Sequence, residues 1–153
     1  VVIYQETYGG NYLEKGMDIV KKDEGDGYIV LGQQCKHRYD IHSCEPITKV
    51  MILEIDEDGN KMDQTLLSGL KFYEFGTPMA MENTYTGGYV FVSNPKNGGN
   101  VWIYQWGDFE DNINLKINPG GFGGESIEKT SDNGYIISTG GGTVLKTDSQ
   151  FSY

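Results

Sequence analysis

Three short runs of this sequence share one pattern, and that pattern limits the fold more than any other feature. They are Gly27-Tyr28-Ile29-Val30, Gly88-Tyr89-Val90-Phe91 and Gly134-Tyr135-Ile136-Ile137. Each follows a turn-rich approach and leads into small or polar residues: Gly32, Ser93 and Ser138-Thr139-Gly140. Short aromatic and β-branched runs between glycine-rich turns are the mark of strands, and the chain carries 22 glycines and 11 tyrosines. The expectation is an all-β protein of 153 residues, long enough to bury a core as a single domain, 1–153.

The spacing of the three runs is informative. Tyr28 to Tyr89 is 61 residues and Tyr89 to Tyr135 is 46. Counting from Tyr135 to Tyr153 and on round from Val1 to Tyr28 gives 46 again. The surplus in the first interval is about the size of the segment Gln33 to Pro46. Read circularly, the chain is three near-equal units with one insertion: roughly 11–67, 68–117, and 118–153 plus 1–10. Further strands are expected at Val1–Tyr8, Met17–Val20, Thr48–Ile55, Lys61–Leu67, Met79–Met81, Val101–Trp106, Ile113–Ile117, Ser126–Glu128 and Thr143–Lys146. The signature strands are apolar on both faces, as befits strands with sheet packed on each side. The chain ends at Tyr153, where the third unit should begin its fourth strand; Val1, Val2, Ile3 and Tyr4, with Phe151 and Tyr153, are the candidates to complete it.

The third unit reads Ser-Asp-Asn-Gly-Tyr-Ile-Ile at 131–137 and Val-Leu-Lys-Thr-Asp-Ser at 144–149, and the N-terminal strand ends Tyr8-Gly9-Gly10. This resembles the repeats of secreted bacterial and archaeal β-propellers, which read roughly SDGGYIVAG, then LDSDG, then KTYGG. The match covers nearly the whole chain and is weakest in the second unit, where Tyr104-Gln105-Trp106-Gly107 replaces Lys-Leu-Asp. The resemblance implies four-stranded sheets arranged radially, with the N-terminal strand completing the last sheet. Three units imply a small three-bladed propeller, its centre filled by side chains such as Met17, Met79 and Met81. The alternative is a β-trefoil, which also has three repeats of four strands; the Gln-x-Trp signature of trefoil lectins does not recur here.

Chemistry is sparse. Cys35 and Cys44 are spaced for a disulfide closing a local loop in a secreted protein. Two free thiols are the alternative, and a metal site with His37 and His42 has the wrong ligand spacing. Ser43 beside His42 is not a triad. Asp56-x-Asp58-Gly59-Asn60 resembles the start of a calcium loop, but Leu67 stands where that loop needs Glu, which leaves a hairpin turn. The Gly123-Gly124 and Gly140-Gly141-Gly142 runs do not join a strand to a helix, so no phosphate cradle is expected. No catalytic residues, cofactor or metal are assigned. A net charge of −10 argues against nucleic-acid or anionic-membrane binding. No apolar run reaches the ~20 residues that span a bilayer. The sequence has no Asn-x-Ser/Thr sequon. It opens on Val1, which is read as the loss of a signal peptide or precursor segment.

Two functions remain as expectations. One is a non-enzymatic extracellular or cell-surface subunit that assembles with itself into a fibre or layer. Its Val1 strand would pair either within the chain or with a neighbour. The other is a glycan-binding or protein-binding module, with Tyr85, Trp102, Tyr104 and Trp106 stacking on sugars.

Overall fold

The structure, a computed structural model, describes residues 7–9, 13–35, 47–67, 76–95, 101–107, 116–118 and 122–151. Among them are eleven strands and no helix. All strand pairings are antiparallel, and the strands form three sheets. The chain divides into two compact units, Val1–Phe72 and Tyr73–Tyr153.

The first unit holds one four-stranded meander: β1 (Leu13–Lys21), β2 (Tyr28–Cys35), β3 (Ile47–Ile55) and β4 (Lys61–Leu67), paired in chain order. The two central strands are apolar on both faces. Leu31 pairs with Ile52 on one face, and Val30 pairs with Leu53 on the other. Leu31, Ile52 and Leu53 are buried and Val30 is half-buried. Gln33 and Gln34 extend β2 as buried polar residues. The strand runs on past the Gly27-Tyr28-Ile29-Val30 run, with Gln33 and Gln34 continuing the ladder to Val50 and Lys49. Ahead of β1, residues 7–9 have no regular structure, and the Tyr8 hydroxyl donates to the Gly59 carbonyl.

The second unit holds two sheets. One is a four-stranded meander: β5 (Thr77–Asn83), β6 (Tyr89–Asn94), β7 (Val101–Trp106) and β8 (Lys116–Asn118). The other has three strands: β9 (Gly124–Lys129), β10 (Tyr135–Thr139) and β11 (Val144–Thr147). They share one core. Ala80, Val90, Val92, Val101 and Ile103 of the four-stranded sheet meet Ile127, Tyr135 and Ile137 of the other, together with Phe151. Strand β9 lies on β5 and β6. Its first residue must be small. A Cβ at Gly124 would stand 2.7 Å from the Val92 Cβ and 3.0 Å from the Val101 Cγ1.

The sequence repeat is thus matched by three sheets, one per expected unit. The Gly-Tyr runs open β2, β6 and β10, the second strand of each sheet. The repeat extends to an irregularity that the sequence did not announce. The first strand of each sheet is bulged against the second, between Gly16 and Asp18, between Pro78 and Ala80, and opposite Ser138 and Thr139. The residues accommodated there are Met17, Met79 and Glu125. Met17 and Met79 are half-buried and Glu125 is exposed, whereas Met81, the third methionine expected at a ring centre, is buried in its sheet.

Candidate functional site

Among the described residues the third sheet has three strands where the other two have four. Its order is β11-β10-β9, so β11 is an outermost strand with β10 as its one partner among the described residues. The residues expected to complete it, Val1, Val2, Ile3 and Tyr4, lie outside the described residues, as do Tyr153 and most of the expected strand Ile113–Ile117. One face of this sheet packs in the core. The opposite face carries Ser126, Glu128, Ile136, Val144 and Lys146, all exposed. Ile136 is 40% and Val144 61% exposed, and Phe122, beside the Gly140-Gly141 turn, is 66% exposed.

Three hairpin turns of this protein share one geometry. In residues 56–60, the Asp56 amide donates to the Asn60 carbonyl (3.0 Å) and the Gly59 amide to the Asp56 carbonyl (3.1 Å). In residues 130–134, Thr130 donates to Gly134 (2.9 Å) and Asn133 to Thr130 (3.1 Å). In residues 139–143, Thr139 donates to Thr143 (3.0 Å) and Gly142 to Thr139 (3.0 Å). The fourth residue of each is left-handed, with φ of 83° at Gly59, 62° at Asn133 and 72° at Gly142. This is a three-residue hairpin loop, a type I turn closed by a left-handed residue. Each copy joins two antiparallel strands: β3 to β4, β9 to β10, and β10 to β11.

The chain after β11 repeats the first half of this turn. The Phe151 amide donates to the Asp148 carbonyl (3.1 Å) and Phe151 has a φ of 59°. Asp148 also accepts from the Gln150 amide through its carboxylate. A left-handed Phe is costly for an L-residue with a bulky side chain, roughly 1–2 kcal/mol. The ring compensates: it is buried and stacks on Tyr135 at 4.8 Å between centroids. Phe151, expected on the closing strand, is therefore a core residue at the turn leading out of β11.

The candidate sugar-stacking rings are engaged with their own protein. Trp102, Tyr104 and Trp106 alternate along β7 and share a face with Tyr89, Phe91 and Ser93 of β6. Tyr104 is 1% exposed and stacks on Phe91 at 5.0 Å; Trp102 lies 6.5 Å from Tyr104. Trp106 stacks on Tyr89 at 5.7 Å. Tyr85 is exposed, but its hydroxyl reaches the Thr130 carbonyl (2.8 Å) and the Gly134 carbonyl (3.1 Å), and its ring lies under the Lys129 ammonium. It ties the β5–β6 turn to the β9–β10 turn. Acceptors that are backbone carbonyls leave no mark in a sequence pattern, which is why this role was not foreseen.

Two carboxylates among the described residues are perturbed. The Asp132 carboxyl is lowered to about 2, first by its hydrogen bond with Lys146 and then by that from Thr130. The Asp56 carboxyl is also lowered, chiefly by the Asn60 side chain and backbone. Asp56 is satisfied within its own turn, which is why that run reads as a hairpin, whereas Asp132 draws its main partner, Lys146, from β11. No cluster of three metal-ligating side chains occurs among the described residues. No helix among them is long and apolar enough to cross a membrane. Cys35 is buried at the end of β2 and is not a free thiol, while Cys44 lies outside the described residues. No protein-family model matches this chain, and no curated protein matches it.

Proposed function

We propose that this chain is a non-enzymatic extracellular structural subunit that assembles with copies of itself, and that its three sheets are β-propeller-type repeats. The observation that supports this most directly is the third sheet. It has three strands among the described residues where its two counterparts have four, and its outermost strand borders an exposed face. An edge strand is a template for another strand. The segment Val1–Tyr4 is the natural occupant, supplied by a neighbouring copy. Burial of its four apolar side chains would contribute roughly 1.5–3 kcal/mol each, beside a ladder of backbone hydrogen bonds. Head-to-tail exchange of such a strand builds a fibre or a layer without any further partner. The Cys35–Cys44 disulfide belongs to the same reading, since such a bond persists in an oxidising, extracellular setting.

The test is the assembly state of the full chain. Size exclusion with light scattering and negative-stain imaging, over rising protein concentration, should show species larger than one chain. A strictly monomeric protein at the highest concentration refutes the proposal.

A further inference from the structure

One face of the third sheet is open at repeat positions that are packed in its two counterparts. The residue after the tyrosine of each Gly-Tyr run shows this. Ile29 and Val90 are 2% and 0% exposed, while Ile136 is 40% exposed. Two residues further on, Leu31 and Val92 are fully buried, while Ser138 is only half-buried and Val144, its partner on β11, is 61% exposed. Given the self-assembly proposed above, on which this rests, we infer that the open face is a lateral interface. It stacks on the same face of a second copy about a two-fold axis that runs along β10.

The charge pattern selects both the partner and the axis. The register places Glu128 of β9, Ile136 of β10 and Lys146 of β11 in one row, with the two charges flanking the isoleucine. The next row is Ser126, Ser138 and Val144. A two-fold axis along β10 lays β9 of one copy over β11 of the other. Each Glu128 then faces Lys146 of the second copy, and Ile136 meets Ile136 at the centre. Val144 lies over Ser126, and Ser138 over Ser138, small side chains that let the surfaces close. An axis across the strands would instead set Glu128 over Glu128 and Lys146 over Lys146, which repel. Packed sheets lie about 10 Å apart, a gap that a glutamate and a lysine bridge between them. Within its own chain Glu128 has no ion-pair partner among the described residues. Lys146 bonds Asp132, yet its side chain stays 48% exposed.

Three strands spaced about 4.8 Å apart make a face well short of the roughly 800 Å² that each partner of a stable complex buries. The contact is therefore weak as a single pair and gains strength by repetition along a fibre or layer. A strand added beside β11 leaves this face uncovered, so edge pairing and face stacking are compatible. The net charge of −10 on each copy does not forbid the contact. At 0.15 M salt the Debye length is about 8 Å, so distant like charges are screened while the facing pairs remain in contact.

Sedimentation velocity of the full chain at 0.15 M salt, over rising concentration, compares the parent with Glu128→Lys, Lys146→Glu and an equimolar mixture of the two. Each variant alone sets like charges face to face twice and should self-associate about tenfold more weakly. In the mixture one copy carries both positive charges and the other both negative, so every facing pair is opposite again. Association should then return to within about threefold of the parent. Ile136→Glu puts like charges on the axis and should weaken association about tenfold or more. Asp132→Asn is the control for the turn: it loosens the contact that Lys146→Glu also removes, leaves the face unchanged and should not weaken association. Urea titration followed by tryptophan fluorescence checks that each variant is folded. Charge variants that weaken association alone and recover on mixing support the two-fold stacking. Weakening without recovery on mixing overturns it. A parent that assembles, with every variant assembling equally well, also overturns it; self-assembly then stands and the face belongs to a different partner. A parent that stays monomeric at the highest concentration overturns both this interface and the proposed function.

Discussion

Gly124→Ala gives the sharpest quantitative check on how the second and third sheets meet. Gly124 opens β9, and its φ is not in the left-handed region, so its backbone accepts alanine without strain. Any cost must then come from the new methyl. That atom would stand 2.7 Å from the Val92 Cβ and 3.0 Å from both the Val92 Cγ2 and the Val101 Cγ1. Both valines are fully buried, and β-branched side chains in a sheet have few alternative rotamers. The tightest contact is to a Cβ, which no rotamer change can move. Overpacking of this kind costs roughly 1–3 kcal/mol, offset by about 0.4–1 kcal/mol from a stiffer unfolded chain. The net expectation is a loss of about 1–2 kcal/mol. For a unit of this size, each kcal/mol lowers the melting temperature by roughly 4–8 °C. The two tryptophans, Trp102 and Trp106, both lie on β7 in the second unit, so their fluorescence during urea titration follows the affected unit. Gly16→Ala is the control. Nothing lies within 4 Å of a Cβ there, and calorimetry should find the first unit unchanged or up to ~1 kcal/mol more stable. If Gly124→Ala is as stable as the parent protein, β9 does not sit on Val92 and Val101 as described, and the shared core is misassigned.

Other substitutions test the turns. Phe151→Ala removes a buried ring, a loss of roughly 3–5 kcal/mol. Phe151→Gly removes the same ring but relieves the left-handed strain, so it should be about 1–2 kcal/mol less damaging than Phe151→Ala in urea titration. The usual order in a strand is the reverse. Tyr85→Phe keeps the ring and its contact with Tyr135 while deleting the hydroxyl bound to Thr130 and Gly134. It should cost roughly 0.5–1.5 kcal/mol by tryptophan fluorescence. The Asp132 carboxyl should titrate near 2 by NMR, and in Lys146→Met its midpoint should rise toward 3.8. Because the folded value is the lower one, whatever this contact contributes is present above pH 3.8 and lost as pH falls through 2. A native midpoint already near 3.8 would show that the Lys146 contact does not persist in solution.

Much of the strand layout could be read directly. Lys61–Leu67 and Val101–Trp106 are strands with the expected bounds, the second marked by its β-branched and aromatic residues, the first by its place after the Asp56–Asn60 turn. The three Gly-Tyr runs mark the second strand of each sheet because a turn glycine delivers the chain and a residue suited to a half-buried pleat follows. Other features depend on partners distant in sequence. Gly123-Gly124 was legible only as something other than a phosphate cradle; its reason lies in Val92 and Val101, which no local pattern connects to it. The bulges at Met17, Met79 and Glu125 were hidden because their side chains differ, although their positions in the three strands correspond. Tyr85, aromatic and in a turn, reads as a ligand contact until its hydroxyl is seen on two main-chain carbonyls.

The docking of β9 on β5 and β6 also bears on the order of folding. Within every sheet, each strand pairs with its neighbour in the chain, so each meander closes through local connections at modest entropic cost. The shared core instead joins segments far apart in sequence, with residues from β5 and from Phe151 beyond β11. The meanders should therefore form early and come together late. On that ordering, a defect at the Gly124 seam raises the unfolding rate and leaves the folding rate nearly untouched. The lifetime of the folded second unit would then be set at the seam between its two sheets rather than within either of them.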